Sequence, residues 1–128
     1  MRFSQKKRQD LIKECRDKLL SLKSDILNRV KIQQKEFTKR DFSSQSGDEA
    51  DQTVFMLEEN EFLLSQQRLQ RQLIEIDLAL DRILRGTFGV CEETEEIIEA
   101  ERLRLIPWTT LSIEGAEIRE ARKKLYAK

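Results

Sequence analysis

The stretch GDEADQT, residues 47–53, decides the fold because it separates two long segments that each repeat apolar residues at heptad spacing. Neither segment contains proline, and steps of three and four residues place the apolar side chains on one helix face. Two helices of matched length that are joined by a short polar loop can each bury one stripe against the other. The sequence therefore predicts a long antiparallel coiled-coil hairpin.

The heptad seam can be followed residue by residue on both sides of this loop. The first segment, from residue 7 to about residue 40, carries Leu11, Cys15, Leu19, Leu22, Ile26, Val30 and Phe37, with Gln33 in the one gap. The second carries Phe55, Phe62, Leu69, Leu73, Ile76, Leu80 and Ile83, with Gln66 in its gap. We expect Asp51 to be the N-cap of the second helix and Gly86 to be its C-terminal cap.

The remainder of the chain predicts a small globular region packed at the base of the hairpin. Its apolar residues suffice for a small core, and a last short helix is expected from about residue 114 to residue 127. We expect Phe88, Leu103, Pro107 and Trp108 in that core. The predicted fold is mainly all-α: a hairpin over residues 1–86 with its tip at about 41–53, and a globular region with a C-terminal helix over residues 87–128.

Composition narrows the function classes. Charged residues make up 38% of a chain whose formal net charge is zero, but residues 1–40 are mainly basic and the rest mainly acidic, which favours antiparallel pairing of the two helices. No apolar run approaches the roughly 18 residues of a membrane span, and residues 1–10 do not resemble a secretory signal, so we expect a cytoplasmic protein. Basic residues are not interleaved with aromatics, so direct sequence-specific nucleic-acid binding is not expected.

The chain contains two cysteines and no histidine. The absence of histidine removes the commonest general base and the commonest metal ligand together. No nucleophile has a partner base and no glycine-rich phosphate loop is present, so the sequence does not predict an enzyme. Cys15 lies in the seam and is expected to be a small buried apolar residue, with no disulfide to Cys91.

Three short motifs carry a resemblance to a known family: GTFGVC at residues 86–91, RLRLIP at 102–107 and LSIEG at 111–115. The chain resembles the DksA/TraR proteins, which bind bacterial RNA polymerase and whose pattern is G-x-F/Y-G-x-C-x-x-C, then R-L-x-x-x-P, then C-x-x-C. The resemblance covers residues 48 to about 120. The residues that stand where the family places them are Gly86, Phe88, Gly89, Cys91, Arg102, Leu103 and Pro107.

The resemblance places the family's four zinc ligands at Cys91, Thr94, Ser112 and Gly115. Only one of these is a thiol, whereas a structural zinc needs four thiolate or imidazole ligands in a tetrahedron. A degenerate, metal-free finger is therefore expected. Its stability should come from packing instead, and the residues expected to supply that packing are Leu105, Ile106, Trp108, Leu111 and Ile113.

Some members of the family bind the alarmone ppGpp through basic residues. The corresponding positions here are Glu75, Ile106 and Ala116, none of which is basic. A phosphate ligand needs cations or free backbone N–H groups, so binding of ppGpp at this place is not expected.

At the hairpin turn the family carries D-x-x-D-x-A, which falls on Asp48, Asp51 and Thr53, with Thr in place of Ala. The resemblance implies that the hairpin enters the secondary channel of RNA polymerase and brings this acidic tip near the catalytic magnesium, where it modulates initiation. Two other interpretations stay open. The carboxylates could merely cap and solvate a turn, and the chain could be a coiled-coil adaptor or weak homodimer that no longer acts on polymerase.

Overall fold

The computed structural model describes residues 2–39 and 49–126. These two ranges contain four helices: α1 (Arg2–Thr38), α2 (Glu49–Arg85), α3 (Ala100–Leu105) and α4 (Ile113–Tyr126). They contain no strand, and β-type pairing is limited to an isolated antiparallel bridge between Val90 and Ile97. The prediction of a mainly all-α hairpin with a short C-terminal helix is confirmed. In the part of the chain described, none of the helices is both long and apolar enough to cross a bilayer.

The long helices are matched in length, at 37 residues each. Gly86 adopts a positive φ of 78° directly after α2, and the Thr87 amide donates to the Arg82 carbonyl at 3.0 Å, so its predicted role as the C-terminal cap is confirmed. The predicted N-cap is wrong. Because α2 already begins at Glu49, Asp51 lies inside its first turn, where a carboxylate is favoured by the positive end of the helix dipole.

The chain divides into two compact units, which we describe separately. The first combines the residues up to Leu22 with those from Glu75 onward. Its core is built from α1, α2 and the C-terminal region together. The buried apolar side chains of this unit are Leu11, Cys15, Leu19, Ile76, Ala79, Phe88, Cys91, Ile98, Leu103 and Pro107. The C-terminal region therefore shares one core with the N-terminal part of α1 and the C-terminal part of α2.

Side chains of the two long helices also satisfy carbonyl groups of the C-terminal region. Irregular backbone leaves such groups without helical partners, and a buried one needs a donor. The donor and acceptor pairs are Arg8 with Gly89, Cys15 with Leu103, Lys18 with Arg104 and Arg82 with Trp108. These contacts tie the C-terminal region, including the last turn of α3, to α1 and α2.

Cys15 is buried in the seam as expected, at 1% exposure. Burial, reinforced by the nearby Glu14 carboxylate, raises the pKa of its thiol. Both cysteines of the chain are free. Cys15 is therefore a packing residue that keeps its proton at neutral pH.

The second unit, Lys23–Ile74, contains a partly buried polar layer. The two residues that fill the gaps of the seam meet there, with Nε2 of Gln66 donating to Oε1 of Gln33 at 2.9 Å. The Ser65 hydroxyl donates to the same oxygen at 3.1 Å. Next to this layer the rings of Phe37 and Phe62 stack with their centroids 4.2 Å apart. A polar layer of this kind costs stability but disfavours other registers of the two helices.

The polar layer leads to a stability prediction. Gln33→Leu removes the acceptor used by Gln66, whose amide is buried and whose Oε1 already lacks a hydrogen-bond partner. We expect this variant to lose about 1–3 kcal/mol in free energy of unfolding, because a buried donor is left unpaired. Adding Gln66→Leu should restore stability to at least the wild-type value, since two apolar residues need no partners.

Urea unfolding followed by helical circular dichroism measures both effects. Gln34→Leu, which changes an exposed glutamine next to the layer, is the matched control and should leave the midpoint nearly unchanged. Equal stability of Gln33→Leu and of the double variant would show that the two amides are not coupled.

Candidate functional site

The four positions that correspond to the family's zinc ligands lie together in the first unit. The Ser112 hydroxyl donates to the Cys91 sulfur at 3.4 Å, and interaction with Thr94 also lowers the pKa of that thiol. The backbone N–H of Gly115 donates to the Ser112 oxygen at 3.0 Å. We call Cys91, Thr94, Ser112 and Gly115 the Cys91 cluster. The structure thus brings the four positions together around one buried sulfur atom.

Local backbone structure explains how the Cys91 cluster is held. The Cys91 amide donates to the Glu96 carbonyl at 2.8 Å, and the Glu95 amide donates back to the Cys91 carbonyl at 2.9 Å, which closes a tight loop. Ser112 directly precedes α4, and its hydroxyl accepts the bond from Gly115 in the manner of a helix N-cap. One hydroxyl therefore both starts α4 and binds the sulfur.

Gly115 is required at its position by close packing. A Cβ atom added there would lie 2.4 Å from the Cys91 sulfur, far inside van der Waals contact. In the sequence Gly115 is only a missing ligand. In the structure it supplies a backbone donor and the space that the sulfur occupies.

The hydrogen bonds of the cluster change the acidity of Cys91. Burial alone would raise the pKa of this thiol, which is 1% exposed. The hydrogen bonds from Ser112 and Thr94 outweigh burial and lower the pKa to about 6. With a pKa of about 6 the thiolate is favoured at neutral pH, and the Ser112 hydroxyl donates to its sulfur.

The residues of the Cys91 cluster do not fit a structural zinc ion. They offer one sulfur, two hydroxyl oxygens and no side chain at the fourth position, whereas such sites use four thiolate or imidazole ligands. Across residues 2–39 and 49–126, no group of three or more His, Cys, Asp or Glu side chains is arranged to hold a metal. The donor chemistry suits hydrogen bonding rather than metal coordination.

The prediction of which residues supply packing in place of a metal is wrong in part. Leu105 is 75% exposed and Ile113 is 51% exposed, because one ends the short helix α3 and the other opens α4 on their outer sides. Ile106, Trp108 and Leu111 are half-buried. Of the four residues predicted for the core of this region, Phe88, Leu103 and Pro107 are buried and Trp108 is only half-buried, while Ile98 is buried as well.

Sequence reasoning missed a group of ion pairs beside the Cys91 cluster. Glu93 belongs to the acidic run at residues 92–101, yet its side chain is only 11% exposed. Its carboxylate lies 2.9 Å from Nη2 of Arg119 and 3.0 Å from Nη1 of Arg122. The three-residue spacing of the two arginines on α4 was the available signal, but it did not identify which acid they bind.

Two of the three candidate tip residues lie in the described part of the chain. Asp48 lies outside it, whereas Asp51 and Thr53 are exposed in the first turns of α2. The Thr53 hydroxyl donates to the Glu49 carbonyl at 2.9 Å. Residues two apart on a helix point to different sides, so Asp51 and Thr53 do not converge on one point.

Exposed apolar side chains accompany these tip residues. Val54, Met56 and Leu57 are 52%, 67% and 60% exposed. They lie outside the heptad seam, so the heptad pattern does not identify them. The start of α2 therefore presents both carboxylates and apolar surface.

The close approach of Gly115 to Cys91 generates a test. We expect Gly115→Ala to lower the thermal midpoint, because the new methyl group and the buried sulfur cannot occupy the same space. Adding Cys91→Ala removes the sulfur and should recover part of that loss. Differential scanning calorimetry measures both, with Ala116→Gly as a control for helix propensity on the same helix. Equal midpoints for Gly115→Ala and wild type would contradict the packing.

Comparisons with known proteins agree with this architecture. The family model described as "Prokaryotic dksA/traR C4-type zinc finger" matches residues 86–121. The chain is 35% identical over 111 residues to an uncharacterized protein of Aquifex aeolicus, covering 84% of this chain and 75% of that protein. It is 31% identical over 116 residues to the RNA polymerase-binding transcription factor DksA of Caulobacter vibrioides, covering 87% of this chain and 77% of that protein.

A solved structure shares the fold. The structure of transcription factor DksA2 from Pseudomonas aeruginosa matches with a TM-score of 0.79 and 32% sequence identity, covering 90% of this chain and 87% of that one. The similarity extends over both long helices and the C-terminal region, since it spans nine tenths of the chain. On these grounds the chain belongs to the DksA/TraR family.

Proposed function

We propose that this protein is a transcription regulator that binds bacterial RNA polymerase and modulates initiation by inserting its hairpin tip into the secondary channel. The observation that carries this proposal is the similarity to the DksA of Caulobacter vibrioides, which is named an RNA polymerase-binding transcription factor and is matched over 77% of its length. The two long helices support it, because α1 and α2 are each 37 residues long, the length that a reaching hairpin requires.

The surface at the start of α2 suits a protein partner. Glu49 and Asp51 provide exposed carboxylates, which are hard oxygen groups that attract Mg²⁺ and basic loops. Val54 and Leu57 add exposed apolar area one helical turn further on. Apolar surface next to charge is a common feature of protein contact sites. Asp48, Asp51 and Thr53 are the residues that we propose act on the polymerase.

We propose that the protein acts without catalysing a reaction of its own. The chain has no histidine, and the Cys91 thiol is buried with hydroxyl partners rather than a base. We also propose that neither zinc nor ppGpp takes part. Glu75, Ile106 and Ala116, which stand at the family's ppGpp positions, carry no cation.

A second candidate function is a coiled-coil adaptor or homodimer. Met56, Leu63 and Ile74 favour it, since they are at least half exposed and share a face of α2 away from the seam. Light scattering distinguishes the two functions. A mass that doubles with rising concentration, in a protein that purified polymerase does not retain, would favour this second function.

The tip generates the central functional prediction. We expect Asp48→Asn with Asp51→Asn to abolish the effect on transcript yield in a purified transcription assay, while retention by immobilised polymerase is largely kept. The reason is that the carboxylates act at the tip, whereas the rest of the hairpin supplies most of the binding surface.

Asp17→Asn with Asp25→Asn is the matched control, because it removes the same charge from exposed positions of α1. This control should behave like the wild type in both assays. Failure of micromolar wild-type protein to bind polymerase would overturn the proposed function. Full activity of the tip variant would leave binding intact and refute the role of the two carboxylates.

The absence of metal is tested directly. Protein purified without chelator should contain well under one equivalent of zinc by elemental analysis, and it should refold from urea equally well in EDTA and in zinc-supplemented buffer. Equilibrium dialysis should show no retention of ppGpp. One equivalent of tightly bound zinc, or saturable retention of ppGpp, would contradict the corresponding part of the proposal.

A further inference from the structure

We infer that Glu93, Arg119 and Arg122 form an ion-pair clamp that, together with the Cys91 cluster, holds the loop at residues 86–98 on α4 and takes over the cross-linking role of the family's metal. This inference rests on the metal-free C-terminal region proposed above, but it does not depend on polymerase binding.

The clamp connects the same two chain segments that a zinc ion would connect. Glu93 lies between Cys91 and Thr94, on the segment that carries the first pair of ligand positions. Arg119 lies one turn beyond Gly115 on α4, and Arg122 follows by a further turn. The Cβ atom of Glu93 lies only 3.4 Å from where a Gly115 Cβ would be. The clamp is therefore built directly against the Cys91 cluster.

Both oxygens of the Glu93 carboxylate are used. Nε and Nη2 of Arg119 bind Oε1 at 3.0 and 2.9 Å, and Nη1 of Arg122 binds Oε2 at 3.0 Å. Charge-assisted hydrogen bonds with this geometry are about twice as strong as neutral ones. Two guanidinium groups of α4 thus bind one carboxylate of the loop.

Burial separates Glu93 from the other acids of its run. Its side chain is 11% exposed, compared with 54% for Glu92, which lies 3.5 Å from Arg119. Exposed ion pairs contribute little because water and salt screen them. A carboxylate as buried as that of Glu93 depends on its partners. Removing the carboxylate or either arginine should therefore lower the stability of the fold clearly.

Apart from the exposed Glu92–Arg119 ion pair, the other links between residues 86–99 and residues 110–126 are single hydrogen bonds. The Ser112 hydroxyl binds Cys91 at 3.4 Å, and the Glu92 amide donates to the Thr110 carbonyl at 2.9 Å. The Glu99 carboxylate accepts from the Ile113 amide at 3.3 Å, at an exposed position. None of these links combines opposite charge with burial, so the clamp is the strongest connection between loop and helix.

The first test is Glu93→Gln, measured in EDTA by the fluorescence of Trp108. The chain has a single tryptophan, and it lies in the C-terminal region, so its emission reports on that region rather than on the hairpin as a whole. We expect the thermal midpoint to fall by at least about 5 °C. Glu96→Gln, an exposed acid of the same loop, is the matched control and should shift the midpoint by less than about 2 °C.

A double-mutant cycle tests whether Glu93 acts through the arginines. The double variant Arg119→Gln/Glu93→Gln should be at least as stable as the less stable of the two single variants, because both partners of one interaction are lost together. Should Glu93→Gln fail to fold, Arg122→Gln provides a milder variant, since its side chain is 60% exposed. It should still lower the midpoint by more than Glu96→Gln does.

The outcomes separate this inference from the metal-free proposal. If the thermal midpoints of Glu93→Gln and Arg122→Gln both equal that of the control in a protein free of zinc, the inference of a clamp is refuted. The proposal of a metal-free region is unaffected by that result. Additive effects of Glu93→Gln and Arg119→Gln would also overturn it. If the wild-type protein holds one equivalent of zinc, the replacement of the metal is refuted even where the arginine coupling is observed.

Discussion

The core shared by α1, α2 and the C-terminal region is the interaction on which the first unit depends. A helix pair buries only one stripe of each helix, which leaves the irregular segment after Gly86 without a core of its own. Leu19 of α1 and Leu103 of α3 are completely buried, and the Cys15 thiol donates to the Leu103 carbonyl. The C-terminal region folds because the hairpin supplies the other half of its core, together with donors for its free carbonyls.

Polar residues at buried positions give the two units their specific arrangements. In the second unit Gln33 and Gln66 pair across the seam. Apolar residues at these positions would specify the register of the two helices less strictly. In the first unit Ser112 and Thr94 surround the Cys91 sulfur. In both places the polar atoms are held by short networks in the interior, and such networks favour one geometry over its neighbours.

The C-terminal region shows how a metal-site geometry can persist with different chemistry. The four ligand positions still meet, because the loop at residues 91–96 and the start of α4 keep their backbone hydrogen bonds. The centre is occupied by a sulfur atom and two hydroxyl groups, and Gly115 leaves the room that this sulfur needs. The adjoining Glu93 carboxylate binds two arginines of α4, which link the same two segments.

The sequence by itself determined the two long helices, their antiparallel pairing and the cap at Gly86, because these depend on heptad spacing, on a short polar connection and on a backbone conformation open mainly to glycine. The motifs at residues 86–115 were enough to indicate the family. Only the tertiary structure decided that Glu93 is buried and Glu92 exposed, that Leu105 faces outward, and that Gln33 meets Gln66. These outcomes depend on which distant residues come together, and one-dimensional spacing does not encode that. A charged residue in an acidic run looks the same whether it solvates a surface or binds two arginines from another helix.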